Sequence, residues 1–161
     1  MIIDIEGDIL LSKASAIAHN IAPNDDFHSG LALELRQRWP GMYKDFRHFC
    51  HTTHPKTGSL WAWKGPGSPV IYNLMCQEAA YGQGGRPGKA TIEAVHHALT
   101  ALRKECEREK HPTLALSRLA TGVGGLDWPS VKQIIEKEFK ASDLRVYVYS
   151  TYRPGVAAVE A

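Results

Sequence analysis

The segment from Leu114 to Trp128 constrains the chain more than any other. Leu114-Ala115-Leu116-Ser117-Arg118-Leu119 is a short apolar run with the character of a buried strand. It empties into Thr121-Gly122-Val123-Gly124-Gly125, after which Asp127-Trp128-Pro129 opens an amphipathic helix. Glycines let the backbone approach a ligand and turn successive N–H groups inward, and a helix N-terminus adds partial positive charge, so this order of elements suits an anion. The loop lacks the Gly-Lys-Ser/Thr ending of a nucleotide-hydrolysing P-loop, and Asp127 stands where a dinucleotide fingerprint wants its third Gly. A plain tight turn accounts for the same glycines. Both readings stand at this point.

The neighbouring segments predict an α/β fold. Thr91 to Arg108 carries an apolar stripe at Ile92, Val95, Leu99, Leu102 and Cys106, and it lies between Val70–Cys76, apolar on both faces, and the strand at Leu114. That is a βαβ unit. A second follows, with a helix bearing Val131, Ile134, Ile135 and Phe139 before a strand at Leu144–Tyr149. Right-handed crossovers then place helices on both faces of a mostly parallel sheet. Further strands are expected at Met1–Ile5, Ala16–His19 and Ser59–Lys64, and helices at Leu31–Trp39 and Met42–Phe49. At 161 residues, 43% hydrophobic and 22% charged, the chain suits one domain over 1–153 with a fraying tail over 154–161.

Ligands of such sheets bind beyond the carboxyl ends of the strands. That rim collects Asp8, the polar loop after His19, the glycine-bearing segment 77–89, the loop at 121–125 and Tyr152. Segment 77–89 has the length and glycine content of a mobile flap, or of a bland surface excursion. Asp8, after a glycine at a strand end, suits a turn carboxylate or a rigid acceptor for an exocyclic amine. Asp25 and Asp26 suit a helix start through its dipole, or a sugar or water held with Asn24 and His28. His48, Cys50, His51 and His54 cluster without the separated pairs that close a zinc tetrahedron, so no metal is expected. With 19 Lys and Arg against 17 Asp and Glu, the overall charge gives no grip on duplex nucleic acid. Three widely spaced cysteines and no apolar run of membrane length point to a reduced, cytoplasmic protein that engages no membrane.

Taken together, Gly7-Asp8-Ile9-Leu10, Ile17-Ala18-His19 leading to Ser29-Gly30-Leu31-Ala32, Ile71-Tyr72-Asn73-Leu74, and Ser117-Arg118-Leu119 with Gly122-Val123-Gly124-Gly125 and Trp128 resemble the macrodomain family. Their order and separations carry the likeness, to about Thr151, and the nearest branch looks like the one holding terminal ADP-ribose protein glycohydrolase and the yeast ADP-ribose 1''-phosphate phosphatase. The resemblance implies a three-layer α/β/α sandwich with a mixed, mostly parallel central sheet that binds ADP-ribose or a derivative, with no cofactor. By the same resemblance Asp8 accepts from the adenine amine beside the Ile9 backbone, and Tyr152 stacks on adenine. Asn20 and the loop ending in Ser29-Gly30-Leu31 line the distal ribose and diphosphate, and Thr121, Gly122, Val123, Gly124 and Gly125 cradle the diphosphate.

The glycohydrolase branch uses a lysine and an aspartate; the matching positions here are Gln77 and Gly124. The phosphatase-like members share an aromatic-glycine pair, here Tyr81-Gly82, and an aromatic residue before the first loop's glycine, here Phe27, while the family's triple glycine is reduced to His28-Ser29-Gly30. These features imply water-mediated hydrolysis of a phosphate or ester on the distal ribose. His19, at a strand end and able to change charge near neutral pH, is the first catalytic candidate; His28 and Asp26 follow, with Gln77 orienting a water. The functions in view are a hydrolase of ADP-ribose derivatives, a non-catalytic reader of ADP-ribosylated protein or nucleic acid, and a binder of another nucleotide.

Overall fold

A computed structural model of the chain describes residues 1–79, 88–122 and 124–160. Strands β1 (Ile2–Gly7), β2 (Ala16–Ile21), β3 (Leu60–Trp63), β4 (Val70–Met75), β5 (Thr113–Ser117) and β6 (Arg145–Tyr152) form one sheet in the order β1-β6-β5-β2-β4-β3. The β3–β4 pair is antiparallel and the others are parallel. Helices α1 (Gly30–Arg38) and α2 (Pro40–Thr53) cover one face, and α3 (Ile92–Arg108) and α4 (Trp128–Phe139) the other. The fold is the expected three-layer α/β/α sandwich.

Strand alternation sorts the core into two layers. Ala16, Ala18, Tyr72, Leu74, Leu114, Leu116, Val146 and Val148 pack against α3 and α4. Their sequence neighbours Ile71 and Met75 pack beneath Phe46, Met42 and Leu35, while Ile17, Ala115, Tyr147 and Tyr149 join Ile9 on that same side. Because 17, 19 and 21 share a face, His19 is directed into the α1/α2 layer, and the strand register sets it directly opposite Asn73. The chain thus builds a polar pair into an apolar layer.

The C-terminal segment departs from expectation. Instead of fraying, it folds back across the end of β1: Asp8 N–H donates to the Val156 carbonyl at 2.7 Å, and Gly155 N–H donates to Asp8 Oδ2 at 2.8 Å. Farther on, the Glu160 carboxylate accepts from Ser12 Oγ at 2.6 Å, from Lys13 N–H at 2.9 Å and from the Tyr149 hydroxyl at 2.7 Å. Composition gave no hint of this, because all these contacts but that to Tyr149 are to residues over a hundred positions away. Gly7 permits the crossing: at φ +154°, a Cβ there would lie 2.7 Å from Ala158 Cβ and 2.9 Å from the Val156 oxygen. Gly7→Ala is expected to lift the segment and cost about 1–2 kcal/mol in urea unfolding. Amide exchange at Asp8 and Val156 should accelerate with it, and unchanged exchange would show that the segment is not held there.

Candidate functional site

At the carboxyl ends of the parallel strands lies a cavity of about 950 Å³. Strand order lays out its floor. Ile9, Tyr149 and Tyr152 belong to the β1/β6 end; Ser117 ends β5 in the middle, with Arg118 and Ala120 after it; Asn20, Ile21 and Gln77 mark the β2/β4 end. The loop between β2 and α1 contributes Asp25, Asp26, His28 and Ser29.

The start of α1 forms part of the wall. Ser29 is the N-cap residue but makes no side-chain cap bond, and the first turn holds no acid. Leu33 N–H finds the Ser29 carbonyl at 3.3 Å, whereas the N–H groups of Gly30, Leu31 and Ala32 have no acceptor among the described residues. All three residues line the cavity. An uncapped helix start of this kind carries partial positive charge and orphan donors, the combination that binds anions.

What holds the α1 start in place is the loop before it. Phe27, fully buried at φ +55°, inserts against Phe46 and Tyr43 with ring centroids 5.3 and 5.6 Å apart. Asp25 Oδ1 accepts from Phe27 N–H at 2.9 Å, and Arg36 Nη1 donates to the Asp26 carbonyl at 3.1 Å. Neither aspartate therefore caps the helix by its side chain. Burial pushes the Asp25 carboxyl above its ordinary range.

The glycine loop is the second donor surface. Gly125 N–H donates to the Gly122 carbonyl and Leu126 N–H to the Ala120 carbonyl, both at 3.0 Å, while Ala120 adopts φ +61°. The N–H groups of Thr121, Gly122 and Gly124 meet no acceptor among the described residues, and Gly122 and Gly124 line the cavity. The α4 start, expected to assist, is occupied: the Asp127 carboxylate accepts from Ser130 N–H at 3.0 Å and from Ser130 Oγ at 2.9 Å, bonds that hold its pKa below the usual range. Its helix-end charge is spent on its own cap.

No family model matches the sequence. Over 147 residues, 91% of this chain and 89% of the relative, it is 23% identical to the ADP-ribose glycohydrolase OARD1 of Homo sapiens. It is 24% identical to the DNA ADP-ribosyl glycohydrolase of Thermus aquaticus, matching 90% of this chain and 40% of that protein. Among solved structures, the macrodomain of Thermus aquaticus DarG matches with TM-score 0.81 at 23% identity, covering 93% of this chain and 98% of that one. Thermosipho africanus DarTG in complex with ADP-ribose matches with TM-score 0.77 at 17% identity, covering 90% and 40%. The chain has the macrodomain fold.

Within this fold the expected site residues divide. Ile9, Asn20, Asp26, His28, Ser29, Gly30, Leu31, Gln77, Gly122, Gly124 and Tyr152 meet around the one cavity. Asp8, Thr121 and Gly125 are not among the lining residues. Asp8, 7% exposed, has both oxygens engaged, by Leu10 N–H at 2.9 Å and by Gly155 N–H at 2.8 Å. Val123, and with it the Tyr81-Gly82 pair of the flap, lies outside the described residues.

His19 is the clearest departure from expectation. It is 1% exposed, absent from the lining, and bonded through Nε2 to Asn73 Oδ1 at 2.5 Å. Burial pulls its pKa down to about 4, and the ring packs beneath the cavity's lining rather than in it. Gln77 does reach the cavity but is fastened at both ends: its Oε1 accepts from Asn20 Nδ2 at 2.8 Å, and its Nε2 donates to the Gly88 carbonyl at 3.0 Å. The two ends of the flap are zipped there, Glu78 N–H donating to the Lys89 carbonyl and Gly88 N–H to the Glu78 carbonyl, both at 3.0 Å. In the histidine cluster, Cys50 is buried, whereas His48, His51 and His54 are exposed.

Sequence reasoning missed Arg118 and Tyr149 as lining residues, whereas Asp25 does line the cavity, in keeping with one of the two roles weighed for it. A signal for the first existed, since Arg118 is the lone charge in the apolar run that ends β5. Tyr149 was legible from the β6 alternation only once the register was known.

Two pH effects follow. His19 has a folded pKa below its unfolded value, so the stability it confers is present above pH 6.5 and is lost as pH falls toward about 4. The loss is on the order of 3 kcal/mol. Urea melts between pH 7 and 4 should show this slope, and His19→Gln should flatten it. Asp25 has the opposite sense: its raised pKa makes its charge a burden that appears as pH rises through the folded value. Asp25→Asn, which keeps the oxygen facing Phe27 N–H, should raise Tm at pH 7 and leave it unchanged at pH 3.

Proposed function

We propose that this macrodomain binds ADP-ribose and hydrolyses a derivative of it at the distal ribose. The observation that carries the reading is one cavity bearing two sets of unpartnered backbone donors, at the α1 start and in the glycine loop, between the Tyr149/Tyr152 end and the Asn20/Asp25/Gln77 end. A diphosphate takes the donors, an adenine the apolar end with Ile9 and Tyr152, and a second ribose the polar end. The relatives named for ADP-ribose glycohydrolase activity, and the likeness to a structure holding ADP-ribose, support the same ligand.

The chemistry supported by these residues differs from a lysine-adduct route. Gln77 has no titratable nitrogen, and the glycine loop as folded does not admit a side chain at 124, where a Cβ would lie 2.6 Å from the Ala120 oxygen. Hydrolysis therefore runs through water: water adds to the scissile phosphorus, acyl carbon or anomeric carbon, its proton passes to a base, and the leaving oxygen takes a proton. Asp26 and His28, on the loop at the distal end, are the groups assigned to this transfer. ADP-ribose 1''-phosphate and ADP-ribosyl esters on protein are the substrates to compare.

A second reading, a reader without turnover, is favoured by the Asn20–Gln77 pair, which puts two anchored amides at the end of the cavity where a nucleophile would stand. Calorimetry with ADP-ribose should give binding, with ATP and NAD competing more weakly. Phosphate or ADP-ribose release from each substrate should then fall about 100-fold in Asp26→Asn, with ADP-ribose affinity within about threefold of wild type. Binding with no turnover of either substrate supports the reader; preference for ATP rejects the ligand assignment.

A further inference from the structure

Arg118 follows β5 directly and lines the middle of the cavity, between the tyrosine end and the loop that contributes Gly122 and Gly124. Its guanidinium stands 5.2 Å from the centre of the Trp128 ring, and its Nη1 donates to the Ser150 carbonyl of β6 at 3.3 Å. Neither neighbour neutralises it: among the described residues Arg118 takes part in no ion pair. Among the described residues it is also the lone Lys or Arg of the lining, whose carboxylates, Asp25 and Asp26, belong to the loop before α1. The lining thus carries one uncompensated cation beside the glycine loop. That placement has a physical use, because the neighbouring α4 start is occupied by Asp127 and offers a ligand no positive end.

The geometry points to Arg118 as a ligand-binding residue that gives the diphosphate a charged contact from the β5 side, while the α1 start and the glycine loop supply backbone donors. Trp128 is its positioning residue, holding the planar guanidinium by its face so that the N–H edge is left for phosphate oxygens. The inference rests on the reading of this cavity as an ADP-ribose site, but it depends only on the diphosphate and is tested apart from the distal ribose. A lysine is not equivalent here, since an ammonium has no planar face to stack and no fork to present.

The test is calorimetry of wild type, Arg118→Gln, Arg118→Lys and Trp128→Leu with ADP-ribose, ADP and adenosine at two salt concentrations. Loss of one charge-assisted contact predicts that Arg118→Gln weakens ADP-ribose and ADP by about tenfold. It should leave adenosine affinity unchanged and make the diphosphate ligands less sensitive to salt. Arg118→Lys and Trp128→Leu are expected to fall between wild type and Arg118→Gln. Equal losses for adenosine and the diphosphates, or no loss for either diphosphate, overturn the inference. Wild-type binding of ADP without ADP-ribose, with the Arg118 effect intact, rejects the proposed function and upholds this role. Failure of the wild type to bind either diphosphate overturns both.

Discussion

The α1 helix begins without a cap, and much of the surrounding structure keeps it so. A helix start in a loop rich in Asn, Asp and Ser would ordinarily recruit one of those side chains, at a gain of about 1 kcal/mol. Here Ser29 occupies the N-cap position without bonding, Asp25 is turned to Phe27 N–H, and the Asp26 carbonyl is held by Arg36. The forgone cap leaves three backbone donors facing a cavity. Contrast α4, where the Asp127 carboxylate caps the start through Ser130 N–H and Oγ. One helix of the pair is finished as structure and the other is left open to a ligand.

Keeping that start open requires a rigid loop, and the rigidity comes from the α1/α2 layer. Phe27 is the anchor, and its positive φ, like that of Asn24, costs on the order of 1 kcal/mol. The burial of a whole phenyl ring offsets this, at roughly 1.5–3 kcal/mol. His19 lies edge-on to the same ring, 5.9 Å between centroids, and is itself fixed to Asn73, whose Nδ2 donates to the Trp61 carbonyl at 3.3 Å. The anchor therefore rests on a polar tie across β2, β4 and β3. His19 serves the site, but from beneath it.

The layers and the mostly parallel sheet were legible because they follow from local pattern: short apolar runs at β4 and β5, a helical stripe in α3, and the chirality of parallel crossovers. Positions on the rim were legible too, since a topological argument collects Asn20, Ser29, Gly122 and Tyr152 at one sheet edge. Direction was harder to read. Whether His19 points into the cavity or into the core depends on which face odd-numbered β2 residues take, and that is fixed by register with Asn73 rather than by composition. Asp8 is a similar case, because its occupancy by Gly155 depends on a tail crossing that only a glycine at position 7 and contacts across the whole chain specify. The α4 start misled for a different reason: Asp127 was visible in the sequence, yet a carboxylate at an N-cap both marks a helix start and removes it as an anion site.

The paired amides of Asn20 and Gln77 bear most directly on what this protein does. Asn20 Oδ1 accepts from Cys76 N–H at 3.2 Å while its Nδ2 donates to Gln77, so the ends of β2 and β4 are laced by side chains that neither titrate nor swing freely. A lysine at 77 would break this lacing and place a charge beside Asn20; a glutamine completes it. The β2/β4 end is thereby left without charge, and the carboxylates and the histidine among the described lining residues lie on the β2–α1 loop, where burial already holds Asp25 toward its protonated form. Under the proposed function, proton transfer has moved from the end of a strand to a loop, and the loop's anchorage through Phe27 is then what gives that chemistry a fixed geometry.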